Sequence, residues 1–279
     1  MTNNLKEISK SYIDWAPVSL AVRELSRMNA LKILNLETKI FSCEKVLDVG
    51  CGDGKWWTHL CPGQLYKIHG VDISQKEILI AKKFIHANCL DITAQDFMQN
   101  LNERDFDLVI GNCSLEHVYH LDKALKNILD SLRPGGTFIL FVPTPYWALK
   151  GKTIAFLNGI SPRLSMAFSG FLNGFFQHWH LYNHNIWKSI LTNFGFIDLK
   201  LYGIGNKKSE FLFRLGLPTA FLSFLVKCMT GKYINYFISS LVPNHFKDFI
   251  SNLIVSGIET ELQDIKKEDI FEYMIVCKK

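Results

Sequence analysis

Apolar positions fall along this chain in two rhythms. Short apolar runs closed by an acid, a glycine or a proline occur at Val46–Val49, Tyr66–Asp72, Ile85–Ile92, Phe106–Gly111 and Thr137–Pro143, the pattern of strands covered on both faces. Between them, Lys55–Cys61, Ser74–Phe84 and Leu121–Leu132 read as helices, the last stopped by Arg133-Pro134-Gly135-Gly136 because proline cannot continue a helix and glycine closes one. Ahead of the first strand, residues 16–36 carry Val18, Val22, Leu25, Met28 and Leu31 at helical spacing. Strand, helix and strand joined this tightly predict right-handed crossovers and a parallel sheet. Farther along, Asn183 or Asn185 caps a helix from Ile186 to Asn193, Phe196–Tyr202 alternates as a sixth strand, and Phe271–Cys277 supplies the last.

Two connections do not fit the usual ~2 to 6 residues of an α/β loop. They are Thr144–Tyr182 and Asn206–Asp264. Both leave the carboxyl ends of strands, where open α/β sheets bind ligands, so both are expected to stand over an acceptor site. In the second, Phe246, Phe249, Ile250, Leu253 and Ile254 recur at helical spacing, after Phe221, Phe224, Leu225, Tyr236, Phe237 and Leu241. The expected organisation is a single domain over 1–279, with 144–182 and 206–264 forming a helical cap.

Composition sharpens this picture in three ways. With 279 residues and 48% hydrophobic content the chain can bury a large core. Seven cysteines, scattered and never in C-x-x-C, exclude a disulfide framework and a zinc finger and suit a reducing compartment. The polar stretch Met1–Lys10 lacks the apolar run of a secretory signal, so the expected location is cytoplasmic. A net charge of +5 is too small to argue for nucleic acid, yet residues 151–250 hold 10 Lys and Arg against 3 Asp and Glu. That basic, apolar segment admits two accounts: its helices bury their apolar faces on the domain, or some of that surface makes peripheral contact with a membrane. Arg163, Arg214, Pro218 and Lys227 interrupt every candidate for a full span.

The chemistry concentrates at Val46-Leu47-Asp48-Val49-Gly50-Cys51-Gly52-Asp53-Gly54. Glycines at 50, 52 and 54 let the backbone take positive φ and approach a ligand with its amides. A dinucleotide-binding turn would read G-x-G-x-x-G, and position 55 is Lys. Asp72, 18 residues past Gly54, lies near the separation at which a second-strand acid meets a ribose. It could otherwise cap the next helix, a role Ser74 fills better.

Here the chain resembles the class I S-adenosylmethionine-dependent methyltransferases, in the branch that acts on small molecules. The resemblance covers roughly 40–150, 183–205 and 269–279. It implies a Rossmann-like α/β fold, a seven-stranded mostly parallel sheet whose last, antiparallel strand inserts between the fifth and sixth, with helices on both faces. It also implies that S-adenosylmethionine is held by Asp48, Gly50, Cys51, Gly52, Asp53 and Gly54, with Asp72 and Ile73 at the ribose. Asp91 and Ile92 would meet the adenine, and Asn112, closing the fourth strand, the methionine end. On residues alone Asp91 serves equally as an exposed loop acid. The L-E-H-V run at 115–118 matches the small-molecule branch, and the [DN]-P-P-[YFW] signature of base and protein amino-methylation is absent. The acceptor is therefore expected to be small or lipid-linked, methylated at oxygen or carbon; the alternative is a non-catalytic S-adenosylmethionine-binding module docked on a membrane or an assembly. His117 and His180 are the candidate bases. In Gln177-His178-Trp179-His180-Leu181-Tyr182-Asn183-His184 two imidazoles could share a metal, but no nearby Cys, Asp or Glu completes a set, so no metal is expected.

Overall fold

The computed structural model describes residues 2–146, 152–258, 261–265 and 270–279. Two helices precede the first strand: α1 (Thr2–Trp15) and α2 (Val18–Thr38). The second matches the expected helix over 16–36. The first is not foreseen from the sequence, because the polar residues of 1–10 mask the spacing of Leu5, Ile8 and Tyr12, all buried.

Strand β1 (Val46–Val49) turns into α3 (Lys55–Leu60); β2 (Ile68–Asp72), α4 (Gln75–Ala81), β3 (His86–Cys89), α5 (Phe97–Asn100), β4 (Phe106–Asn112), α6 (Leu121–Ser131) and β5 (Leu132–Pro143) succeed it. Next come α7 (Lys152–Ile160), α8 (Pro162–Phe175), α9 (His184–Asn193) and β6 (Ile197–Ile204). The chain continues through α10 (Lys207–Thr230), α11 (Ile234–Ile238), α12 (Asn244–Ser256), the two-residue β7 (Gln263–Asp264) and β8 (Glu272–Lys278). Both long connections are thus helical where described; 147–151 of the first and 259–260 of the second lie outside the described residues.

The sheet order is β3-β2-β1-β4-β5-β8-β6-β7. Strands β1 to β5 pair in parallel, and β8 pairs antiparallel with β5, Ile139 opposite Val276, in the place between β5 and β6 expected of it. Seven strands make the Rossmann-like sheet, and β7 adds a short eighth at its edge. β5 begins five residues before the expected Thr137. Leu132 already pairs with Phe106, and the register shifts between Phe106 and Leu108, so Arg133–Gly136 is absorbed into a bulged strand start rather than a free turn. Arg133 Nε donates to Asp107 Oδ1 at 2.5 Å and fastens that bulge. Leu47, Val109, Phe138, Leu140 and Ile275 form the centre of the core, with Leu125 and Ile128 of α6 and Trp187 of α9 packed into the same cluster.

The chain divides into two compact units, Met1–Thr38 with Ile204–Gln263, and Lys39–Gly203 with Asp264–Lys279. In the first unit α10 packs along α2 and α1 along α12. Asn206 and Ser209 form a capping box at the start of α10, and Gly231, at φ 78°, ends it. Arg214, Pro218 and Lys227, which interrupt the apolar run here, all lie within one helix. Helix α10 runs 24 residues through Pro218, with Arg214 paired to Glu210 one turn back at 2.7 Å. By length and composition it is long and apolar enough to cross a membrane.

Candidate active site

The turn after β1 is held from below. The Val71 carbonyl accepts from the amides of both Gly50 (2.8 Å) and Cys51 (3.1 Å), so the glycine turn is bolted to β2. Gly50 sits at φ 78°, and a Cβ there would stand 2.5 Å from the Ser114 Cβ; only glycine fits. Asp72 completes the tie: its Oδ2 accepts from the Gly52 amide at 3.0 Å and its Oδ1 from the Ser74 amide at 2.8 Å. Ser74 caps α4 with its own hydroxyl.

Above the turn lies a cavity of about 520 Å³, within the usual range for small-molecule sites. Of the expected cofactor residues, Gly50, Asp72, Ile73, Asp91 and Ile92 line it. Ile73 holds its apolar side chain 75% exposed. Asp91 Oδ1 accepts from both the amide and the hydroxyl of Thr93, and the buried Asn127 donates to the Ile92 and Ala94 carbonyls, fixing the loop.

Asp48, Cys51, Gly52, Asp53, Gly54 and Asn112 are not in the cavity wall. Asp48 is buried and takes the indole N–H of Trp57 at 2.6 Å. The Cys51 thiol is pushed well above its ordinary pKa, first by burial and then by the charges of Asp48 and Asp72. Asp53 accepts from the Lys55 amide and pairs with its ammonium at the start of α3. Beyond Asn112, it is Cys113, at φ 52°, and Ser114 that face the cavity.

His117, Val118, Tyr119 and His120 line the same cavity. His117 Nδ1 stands 3.3 Å from the Gln177 carbonyl oxygen, and Nε2 stands 3.7 Å from Oε1 of Glu116, a side chain with no exposure. His180, the other candidate base, lies outside the wall. Its Nε2 is 2.7 Å from the Val118 carbonyl and its Nδ1 2.9 Å from the Tyr182 hydroxyl, so both ring nitrogens serve the packing of this segment. Tyr119, not foreseen from the sequence, meets His120 and Trp179 edge-on and is 66% exposed. The H-V-Y-H spelling of 117–120 was the available signal, since all four residues line the cavity.

The reason given for expecting no metal needs correction. His178 stacks on His117 at 5.3 Å, and donor atoms of Glu116, His117 and His178 lie within 4.8 Å of one another. A carboxylate therefore does join two imidazoles, contributed by a segment 62 residues away from His178. Among the described residues this group could hold a divalent ion.

The cavity fits S-adenosylmethionine by its donor set. A carboxylate offers about four acceptor directions; two on Asp72 go to amides, leaving a pair for a ribose diol, while Gly50 opens the wall that any side chain would close. Residues 22–201 match the methyltransferase-domain family. The chain is similar to a malonyl-[acyl-carrier protein] O-methyltransferase of Priestia megaterium, 27% identical over 139 residues, 49% of this chain and 51% of that one. It is 33% identical to a mitochondrial arginine hydroxylase of Mus musculus over 33% of this chain and 27% of that one. A ubiquinone biosynthesis O-methyltransferase of Rickettsia bellii is 26% identical over 50% of this chain and 60% of that one. The chain spans about half the length of the first of these relatives and about a quarter of the second. In fold it is similar to a methyltransferase of Thermotoga maritima, titled a possible histamine N-methyltransferase, at TM-score 0.55 and 16% identity over 100% of both chains. It also resembles phosphoethanolamine N-methyltransferase 2 of Haemonchus contortus in complex with S-adenosylmethionine, at TM-score 0.53 and 16% identity over 90% of this chain and 52% of that one. A strand ending in a glycine turn, an acid across from it on β2, and a family match over most of the sheet together establish that this chain belongs to the class I S-adenosylmethionine-dependent methyltransferases.

Proposed function

We propose that the enzyme methylates a small or lipid-linked acceptor at oxygen or carbon, with the acceptor entering beside His117 and Tyr119. The observation that carries this reading is that one cavity is lined both by the glycine turn with Asp72 and Asp91 and by two imidazoles and an exposed tyrosine. The two relatives named as O-methyltransferases support oxygen. The segment 151–250 supplies peripheral membrane contact, through which a lipid-linked acceptor is reached.

When bound, S-adenosylmethionine supplies an already activated methyl, so the residues of this chain have alignment as their main task. The Asp72 carboxylate would receive the ribose hydroxyls with its remaining lone pairs, Ile73 and Ile92 would give the adenine apolar contact, and Asp91 would accept from its amino group. Holding two reactants in line is worth up to ~7 to 11 kcal/mol, more than the ~10² to 10⁴ in rate that a general base contributes. His117 takes the acceptor's proton at Nε2 when Nδ1–H is turned to the Gln177 carbonyl. The Glu116 carboxylate then stabilises the imidazolium that forms.

His117→Gln is expected to lower kcat by about 10²-fold while S-adenosylmethionine affinity changes less than about threefold. Labelled cofactor with glycolipid and small-metabolite fractions reads the first, and calorimetry the second. Equal turnover by wild type and variant on the responsive fraction removes His117 from the chemistry.

A further inference from the structure

Helix α10 is built inside out. Its buried positions are Ser209, Glu210, Leu212, Phe213, Gly216 and Ser223, rich in small and polar residues. Gly216 lies so close to α2 that a Cβ would stand 2.9 Å from the Ser19 amide nitrogen, and Ser223 Oγ accepts from the Ile234 amide at 3.0 Å. The opposite face carries Phe211, Leu215, Leu222, Leu225 and Met229, spaced so that all five fall on one stripe, and they are 64%, 66%, 54%, 45% and 87% exposed. Pro218, on the same stripe, is exposed too. An apolar helix in a water-soluble core is mostly buried; the apolar window of α10, mean hydropathy 1.5, is 17% buried. Small residues inward and large apolar residues outward is how helices pack when their surroundings are hydrocarbon.

The same unit continues the pattern. Tyr236, Phe237 and Leu241 on and after α11, and Phe246 and Phe249 on α12, are each at least half exposed. Two of the cations here sit beside aromatics: the Lys227 ammonium lies 4.9 Å from the Tyr233 ring centre and that of Lys232 3.5 Å from Tyr236. Residues 207–249 hold six Lys and Arg against one Glu and one Asp. Lysine is depleted from the cores of protein interfaces, whereas basic and tyrosine side chains mark the headgroup level of a bilayer.

We propose that this face of the Met1–Thr38 and Ile204–Gln263 unit, the α10 stripe with Tyr236, Phe237, Phe246 and Phe249, seats in the outer layer of a lipid bilayer carrying anionic headgroups. It narrows the membrane contact proposed above to one helix face and rests on that contact, not on the identity of the methyl acceptor or on His117. Turnover and membrane binding are therefore read separately.

The test is flotation of the full chain with vesicles of phosphatidylcholine alone and with phosphatidylglycerol added, alongside the triple variant Leu215→Glu, Leu222→Glu, Leu225→Glu. Wild type is expected to float with the anionic vesicles. The variant, its melting temperature and S-adenosylmethionine affinity retained, should float at least about tenfold less. Should the triple variant melt early, Met229→Glu, on the last turn and away from every buried position, takes its place and should weaken flotation by itself. The proposal is overturned if wild type stays with the soluble fraction for both vesicle types, or if the folded variant floats like wild type. It is equally overturned if wild type is a dimer that the variant dissolves while neither floats, since a second copy then covers the face.

Discussion

Asp72 clamps the glycine turn as well as holding the ribose in the function proposed, and this changes what its removal should do. By sequence Asp72 reads as a ribose ligand or a helix cap. The amides of Gly52 and Ser74 both end on it, so Asp72→Ala should lower S-adenosylmethionine affinity at least about tenfold and also depress the melting temperature, each lost bond contributing ~1 kcal/mol or more. Calorimetry and a thermal melt on the same sample check both; unchanged affinity with a lowered melting point would make Asp72 a loop clamp alone. Trp57 is the quieter case. Its indole donates to buried Asp48 at 2.6 Å, so Trp57→Phe keeps the ring packing and removes a donor from a carboxylate out of water, at a cost of ~1 to 3 kcal/mol in denaturant unfolding. Glycine spacing made the turn readable from residues alone, because positive φ has few other tenants. The distance of Asp72 from the glycines singled it out, and it lines the cavity; that Asp48 takes an indole and Asp53 a lysine was not readable, since those partners are assigned only by the fold.

Elements were legible where their periodicity was undiluted and illegible where a neighbour outvoted it. Proline and glycine at 134–136 spelled the end of a helix, yet the bulge against Phe106 drew them into β5; Pro218 interrupts an apolar run, yet α10 passes through it with the ring on an exposed face. The β5 bulge has its own pH signature. Burial by itself would push the Asp107 carboxyl up, but the Arg133 guanidinium and the amides of Lys45 and Glu44 outweigh it and bring the net pKa below the ordinary value. A carboxyl lowered on folding adds stability above its unfolded pKa of ~3.9 and loses it as pH falls through the folded value. Wild type should therefore lose melting temperature more steeply than Asp107→Asn between about pH 5 and pH 2, the variant starting lower at neutral pH. Parallel slopes in a thermal-melt series would discard the assignment.

At the scale of the molecule, the family match ends at residue 201, and the three helices of the inside-out face all lie beyond it in the chain. The sheet and its cavity were foreseeable from sequence because a shared cofactor imposes a shared frame. The helices of 206–264 could be read as helices but not as a surface, since composition alone does not tell whether an apolar stripe points at protein or away from it. The acidic partner that joins His117 and His178 was hidden for a related reason: Glu116 is remote in sequence from His178, and only the fold makes them neighbours.

Strand β8 lies between β5 and β6, although every other strand precedes it in the chain. On the ribosome, β6 has only the two-residue β7 beside it until β8 has emerged, so a nascent chain arrested earlier carries β5 and β6 each with one edge unfilled. The order of synthesis thus leaves the place between β5 and β6 vacant until the end, and until β8 fills it a stalled or shortened chain offers edge strands to a stranger.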